Sequence, residues 1–294
     1  MGALAALGSA ALWALTNLLL RGQVQKLGGG TANAWRTVSS TLFFLPIFLF
    51  LRQPSDLLAI PTRTLVVLLT SVLLSMVIGD ILQFTAISRL GIALAMPISS
   101  CYPFLTLLIA ASFLGERFTL RAAGGAAAIV AGVILVALPR RALDEAERAQ
   151  RRALTKNHWI GVGLALASAI CAAGATTLTR VAIRDIDIVA ANMLRLPFSA
   201  VACCLIGTVQ RGAPPWRIER SRIIPLCLAG LVSMGSGLLY LNALKLVGAS
   251  TTATLNASAP IFGLLGAVAF LGERPSRRNI LGTLVAFAGI ALVV

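Results

Sequence analysis

FLGERFTLR (Phe113–Arg121) and FLGERPSRR (Phe270–Arg278) are two versions of one phrase: the end of an apolar helix, a glycine, an acid beside a base, and a hydroxyl residue opening the next helix. Gly115 and Gly272 are expected to stop their helices, and Thr119 or Ser276 to cap the first N–H groups of the next one. Glu116 and Glu273 then lie near the positive end of that second helix. The same corner of a fold is written twice.

The match extends outward from the corner. With a shift of 157 positions, Gly91 meets Gly248, Pro103 meets Pro260, Thr119 meets Ser276, Gly125 meets Gly282 and Gly132 meets Gly289. Upstream the shift is 159, and Arg21 meets Arg180, Asn33 meets Asn192 and Arg36 meets Arg195. A two-residue indel in the polar stretch after the second apolar run of each half accounts for the change. The chain therefore reads as a first unit over 1–139, a charged linker over 140–157 and a second unit over 158–294.

Composition places both units in a membrane. With 58% hydrophobic residues, 12% charged residues and a mean hydropathy of +0.90, the 294 residues cannot coat a soluble globule. Apolar runs of about 17 to 25 residues recur, the length a helix needs to cross roughly 30 Å of hydrocarbon. Ten are counted, near 2–20, 32–51, 64–87, 92–113, 121–138, 159–179, 189–209, 223–244, 249–271 and 279–294. The expected fold is an all-α integral membrane bundle of ten transmembrane helices, with MGALAALGSAALWALTNLLLR as its first span rather than a cleaved signal. Five spans separate the two corners, and an odd number of crossings puts them on opposite faces. The halves are thus expected to be inverted repeats, a construction typical of secondary transporters.

The net charge of +15 would point a soluble protein toward nucleic acid, but here the bases fall between the spans, where they orient the chain and meet lipid headgroups. No nucleic-acid partner is expected; the partners are the lipid bilayer and a small-molecule substrate, with a proton as candidate coupling ion, and the protein as a monomer or weak homodimer. The five cysteines lie in apolar spans without metal or disulfide spacing, the only histidine, His158, lies where the linker meets the second unit, and no nucleotide-binding signature is present. No cofactor, metal or catalytic residue is therefore expected.

On these residues the chain resembles the drug/metabolite transporter superfamily, in particular its bacterial ten-span members built from two EamA-type repeats. The resemblance rests on Trp13 in the first span, Arg36 and Arg195 opening the second span of each half, Pro103 and Pro260 within the fourth, the LGER corners, and the glycine-containing helices GGAAAIVAGVILV and GTLVAFAGIALVV. It implies ten helices around a central cavity in the cell inner membrane, moving small metabolites or drugs, usually outward. The small multidrug relatives use an acid in their first span; this chain has none there.

Candidate cavity residues are the polar groups at membrane depth. Ser99, Tyr102 and Thr106 share one face of the fourth span beside Pro103, and Thr252 and Asn256 share one on the ninth beside Pro260. Trp13, Thr16 and Asn17 on the first span are joined by Thr176 on the sixth, with Asn17 and Thr176 equivalent; Gln83 and Tyr240 are a further equivalent pair. Polar groups in hydrocarbon must face protein or water, so matching stripes point at a shared interior, against the alternative of simple hydrogen bonds between helices. The expected lining is neutral and aromatic, suited to an amphipathic or zwitterionic solute more than to a phosphate.

Asp80 is the one carboxylate deep in a span and is the candidate proton carrier; the alternative is a structural ion pair. Asn33 and Asn192 are expected to be helix N-caps. Arg36 and Arg195 are expected either to pair across the halves with Glu273 and Glu116 or to snorkel to headgroups. The small residues Gly125, Ala128 and Gly132, and Gly282, Ala286 and Gly289, are expected to pack helices closely, with dimerisation as the alternative. Loops after odd-numbered spans hold most of the Lys and Arg, which places them in the cytoplasm and both termini outside, against the cytoplasmic termini the resemblance implies. The function expected is secondary-active export of amino-acid-like or amphipathic solutes and drugs. The alternatives are a passive facilitator, a sugar-phosphate or nucleotide-sugar exchanger and, more remotely, a membrane enzyme.

Overall fold

The computed structural model describes residues 1–90, 95, 98–115, 119–137, 155–212, 214–271 and 277–293, and every regular element among them is a helix. In chain order these are α1 (Gly2–Leu27), α2 (Gly29–Leu51), the short α3 (Ser55–Leu58), α4 (Thr62–Val72), a π-helical stretch (Leu73–Gly79) running straight into α5 (Asp80–Leu90), α6 (Tyr102–Leu114), α7 (Leu120–Ala137), α8 (Thr155–Ala182), α9 (Ile188–Arg211), α10 (Ile223–Asn256), α11 (Ala259–Leu271) and α12 (Arg277–Val293). Among the described residues six stretches are long and apolar enough to cross a bilayer: 2–20, 29–51, 62–90, 159–182, 188–210 and 220–256. Shorter apolar helices cover Tyr102–Leu114, Leu120–Gly132 and Ile280–Leu292.

The exterior is apolar, unlike that of a soluble protein, and polar groups are buried among the apolar core. Phe50, Phe113, Leu120, Val209 and Ile224 are among many large apolar side chains facing outward, whereas Asn33, Arg36, Thr106, Asn192 and Arg195 are buried. Lipid makes outward apolar groups inexpensive, and the helix backbone satisfies its own polar groups.

Two spans expected to be continuous are interrupted. The fourth turns at Ser100 and Cys101 before α6 begins at Tyr102, and the ninth turns at Ala257 and Ser258 before α11 begins at Ala259. Pro103 and Pro260 stand second in the new helices, where their missing N–H is not required but where they cannot bond to the preceding turn. A second break lies inside α10 at Gly248, whose φ of 82° and ψ of 178° are open only to glycine, so two helices abut there with no loop between them. Gly115 closes α6 in the left-handed conformation (φ 67°), and the Thr119 hydroxyl accepts from the Ala122 N–H at 3.2 Å. The first LGER corner thus has the expected cap; Glu116, Glu273, Gly272 and Ser276 lie outside the described residues, as does most of the linker.

Helices pack in pairs. α1 lies along α10, α8 along α4, the π stretch and α5, α2 along α9, and α7 along α12. The last pair brings the two small-residue stripes together: a Cβ placed on Gly132 would collide with Gly282 O and Ala286, and one on Gly289 would stand 2.8 Å from Gly125 O. Packing within the chain therefore consumes both stripes.

The expected N-caps are corrected. Asn33 is inside α2, which starts at Gly29, and Asn192 is inside α9, where Asp187 is the cap and accepts from the N–H groups of Val189 (2.9 Å) and Ala190 (3.3 Å). Asp187 also holds Arg52, at the end of α2, by an ion pair of 3.1 Å.

Candidate functional site

Asn33 and Arg36 are one turn apart on α2, so both side chains leave the same face. Asn33 Oδ1 accepts from Arg36 Nε at 2.9 Å and Nη2 at 2.6 Å, which leaves the amide nitrogen to donate to Met76 O at 2.7 Å. Met76 belongs to the π stretch, which delivers the chain to Asp80 at its end. Arg36 Nη2 donates to Asp80 Oδ2 at 2.5 Å, and Nη1 donates to Ser233 Oγ of α10 at 2.6 Å. The guanidinium also lies 5.4 Å from the ring centroid of Trp13, itself stacked on Phe84 at 6.5 Å. Arg36 is only 2% exposed, and every part of its charge is answered.

The equivalent residues of the second half are placed alike but answered differently. Arg195 is 6% exposed, its Nε has no hydrogen-bond partner, and neither has Asn192 Nδ2. Neither arginine snorkels to the surface.

Between these groups lies a cavity of about 230 Å³, lined from both halves by Trp13, Arg36, Asp80, Gln83, Ser99, Tyr102, Thr176, Asn192, Arg195, Ser233, Tyr240 and Asn256, among others. At roughly 30 Å³ per liquid water this is room for one small organic solute. The Ser99 hydroxyl donates to Gln83 Oε1, and Thr176 Oγ1 and the Tyr240 hydroxyl are 2.7 Å apart. Ser9 and Ser236, 3.3 Å apart, join α1 to α10 at the same wall.

Of the candidate cavity residues, Trp13, Gln83, Ser99, Tyr102, Thr176, Tyr240 and Asn256 line this space. Asn17 and Thr252 do not, and their assignment to the lining is corrected. Thr252 is fully buried with its hydroxyl spent on Gly248 O at 2.6 Å, and Asn17 donates to Trp13 O at 2.8 Å on its own helix. The expectation of a neutral lining is also corrected, because Arg36, Arg195 and Asp80 all stand on the wall. Arg36 is engaged by Asp80 of its own half; its expected partner Glu273 and Arg195's expected partner Glu116 lie outside the described residues. The polar pair Asn-x-x-Arg, set within apolar runs of both halves, is the sequence signal that marks this wall.

At the margin of the bundle, burial alone would raise the Asp187 carboxyl, but the hydrogen bond from Arg52 and the N–H groups of Val189 and Ala190 hold it below its ordinary value.

The EamA-like transporter family matches this chain twice, over residues 1–138 and 159–294. An uncharacterized transporter of Archaeoglobus fulgidus is 26% identical, with 99% of this chain and 97% of that protein aligned. A crystal structure with 17% identity superposes with a TM-score of 0.76, covering 99% of this chain and 95% of its own, which speaks for the fold alone.

Proposed function

The chain belongs to the EamA-like transporter family, and from that membership we propose that it is a secondary-active exporter of small organic solutes, working by alternating access of two inverted five-helix halves. The observation that carries this reading is the cavity, to which equivalent positions of both halves contribute: Arg36 with Arg195, Gln83 with Tyr240, Ser99 with Asn256. It is bordered by two helices interrupted at equivalent residues, the kind of discontinuity on which transporter sites are built.

Packing supports a two-fold relation between the halves, which an odd number of crossings per half turns into an inverted one. Exchanging the halves converts the α1–α10 contact into the contact of α8 with α4 and α5, converts α6–α8 into α11–α1, and returns α2–α9 and α7–α12 to themselves. The interrupted and shorter helices supply the fourth, fifth, ninth and tenth crossings. Export is proposed to be driven by protons, with Asp80 as carrier, since it is the one carboxylate on the cavity wall among the described residues.

The test is uptake by inside-out vesicles of labelled amino acids, nucleosides and dyes. Concentrative uptake that an uncoupler collapses, and that Asp80→Asn removes, is the expected result. Uptake that only equilibrates makes the protein a facilitator; pumping unchanged in Asp80→Asn removes that residue from the coupling.

A further inference from the structure

The two halves carry the same Asn-x-x-Arg pair at the same wall, yet among the described residues only Arg36 is in contact with a counter-charge. Asp80, which neutralises Arg36, has Gly237 as its equivalent in the second half. Among the described residues Arg195 makes no ion pair or hydrogen bond; its Nε and the adjoining Asn192 Nδ2 are buried donors without partners. Space stands where the missing acid would be: a Cβ on Gly237 meets only Asn192 Oδ1, at 3.7 Å. Asn256 Oδ1, on the same cavity, is a buried acceptor that is likewise unpartnered.

A guanidinium this deeply buried requires an anion or water against it, and unanswered buried donors are rare in folded proteins. Two arginines and one aspartate leave one positive charge at the wall. A single carboxylate cancels that charge and can accept from the planar fork of Arg195. A phosphate dianion would reverse it, and a neutral solute would leave it standing.

We propose that Arg195 and Asn192 form the anion-binding subsite of the cavity, and that the transported solute is a small organic monocarboxylate whose carboxylate occupies, at Arg195, the place Asp80 occupies at Arg36. The inference rests on the transport reading and narrows its substrate class. Asn256 Oδ1, an unpartnered acceptor on the same cavity, can take a hydrogen bond from a donor group on such a solute.

Thermal unfolding of the full chain in detergent tests it, with acetate, benzoate and phenylacetate as probes, each beside its primary amide, and inorganic phosphate as the dianion. At least one carboxylate is expected to stabilise the protein while its amide and phosphate do not, and Arg195→Gln is expected to weaken that binding by roughly tenfold or more. Gly237→Asp, which supplies the missing counter-charge from within and fills the place of the solute's carboxylate, is expected to abolish it. Amides that bind as well as acids, no response to any carboxylate, or carboxylate binding undiminished in Gly237→Asp would overturn the proposal. Binding is read without a gradient, so an acid that binds but is never pumped removes the export reading and leaves the subsite; a neutral solute pumped undiminished by Arg195→Gln removes the subsite and leaves export.

Discussion

Arg36 and Arg195 show how much one neighbour decides. The first is bonded to Asp80, Asn33 and Ser233; the second makes no ion pair or hydrogen bond among the described residues. Removing the Asp80 charge leaves the Arg36 guanidinium unpaired in the interior, so Asp80→Asn is expected to cost about 3 kcal/mol of stability, read as a lower unfolding temperature in detergent. An unchanged unfolding temperature would mean that water in the cavity already carries that charge. The Arg52–Asp187 pair belongs to a different regime, since both side chains are well exposed and screened. Because the Asp187 carboxyl is held below its ordinary 3.8, its contribution is complete above that pH and disappears as the pH falls through the lowered value. Asp187→Asn should therefore lower stability slightly at neutral pH, where the native pair is fully charged, and flatten the acid limb of the profile so that the two proteins converge below about pH 4.

Helix interruptions and close crossings belong to whole elements. At Gly248 the backbone occupies a region that other residues avoid, so Gly248→Ala is expected to destabilise the junction by about 1 to 3 kcal/mol, although the added methyl is small. The crossing of α7 with α12 leaves no room for a side chain at Gly132. Gly132→Leu should force the two helices apart and lower the unfolding temperature, whereas Gly124→Leu, where an added Cβ meets nothing within 4 Å, should not. Equal effects of the two would deny that the stripe acts through packing. The interruptions themselves were half legible: Pro103 and Pro260 announce a disturbed helix, but the prolines alone do not locate the turn at Ser100–Cys101 and Ala257–Ser258. The π stretch at Leu73–Gly79 carried no sequence signal, because it answers to tertiary partners: the Asn33 amide on Met76 O and the Ser168 hydroxyl on Gly79 O.

For the molecule as a whole, the inverted arrangement makes a topological prediction. Single cysteines placed at Glu116 and Glu273, in a chain stripped of its own five, should react with a membrane-impermeant reagent from opposite sides. Labelling of both from one side would end the two-fold scheme and the alternating-access reading with it.

Composition and the doubled LGER phrase were enough to establish a membrane-embedded helical chain of two related halves, because hydrophobic length and repeated caps are local properties that survive without coordinates. Most of the cavity wall could also be read, as Gln83, Ser99 and Tyr240 are polar groups that hydrocarbon would exclude. Only the folded chain could separate Asn256, which faces the cavity, from Thr252, whose hydroxyl is consumed by its own helix. Only the folded chain could pair Arg36 with Asp80 and leave Arg195 unanswered. Charge compensation depends on which helices meet and at what depth, and that is settled by long-range packing that no local pattern encodes.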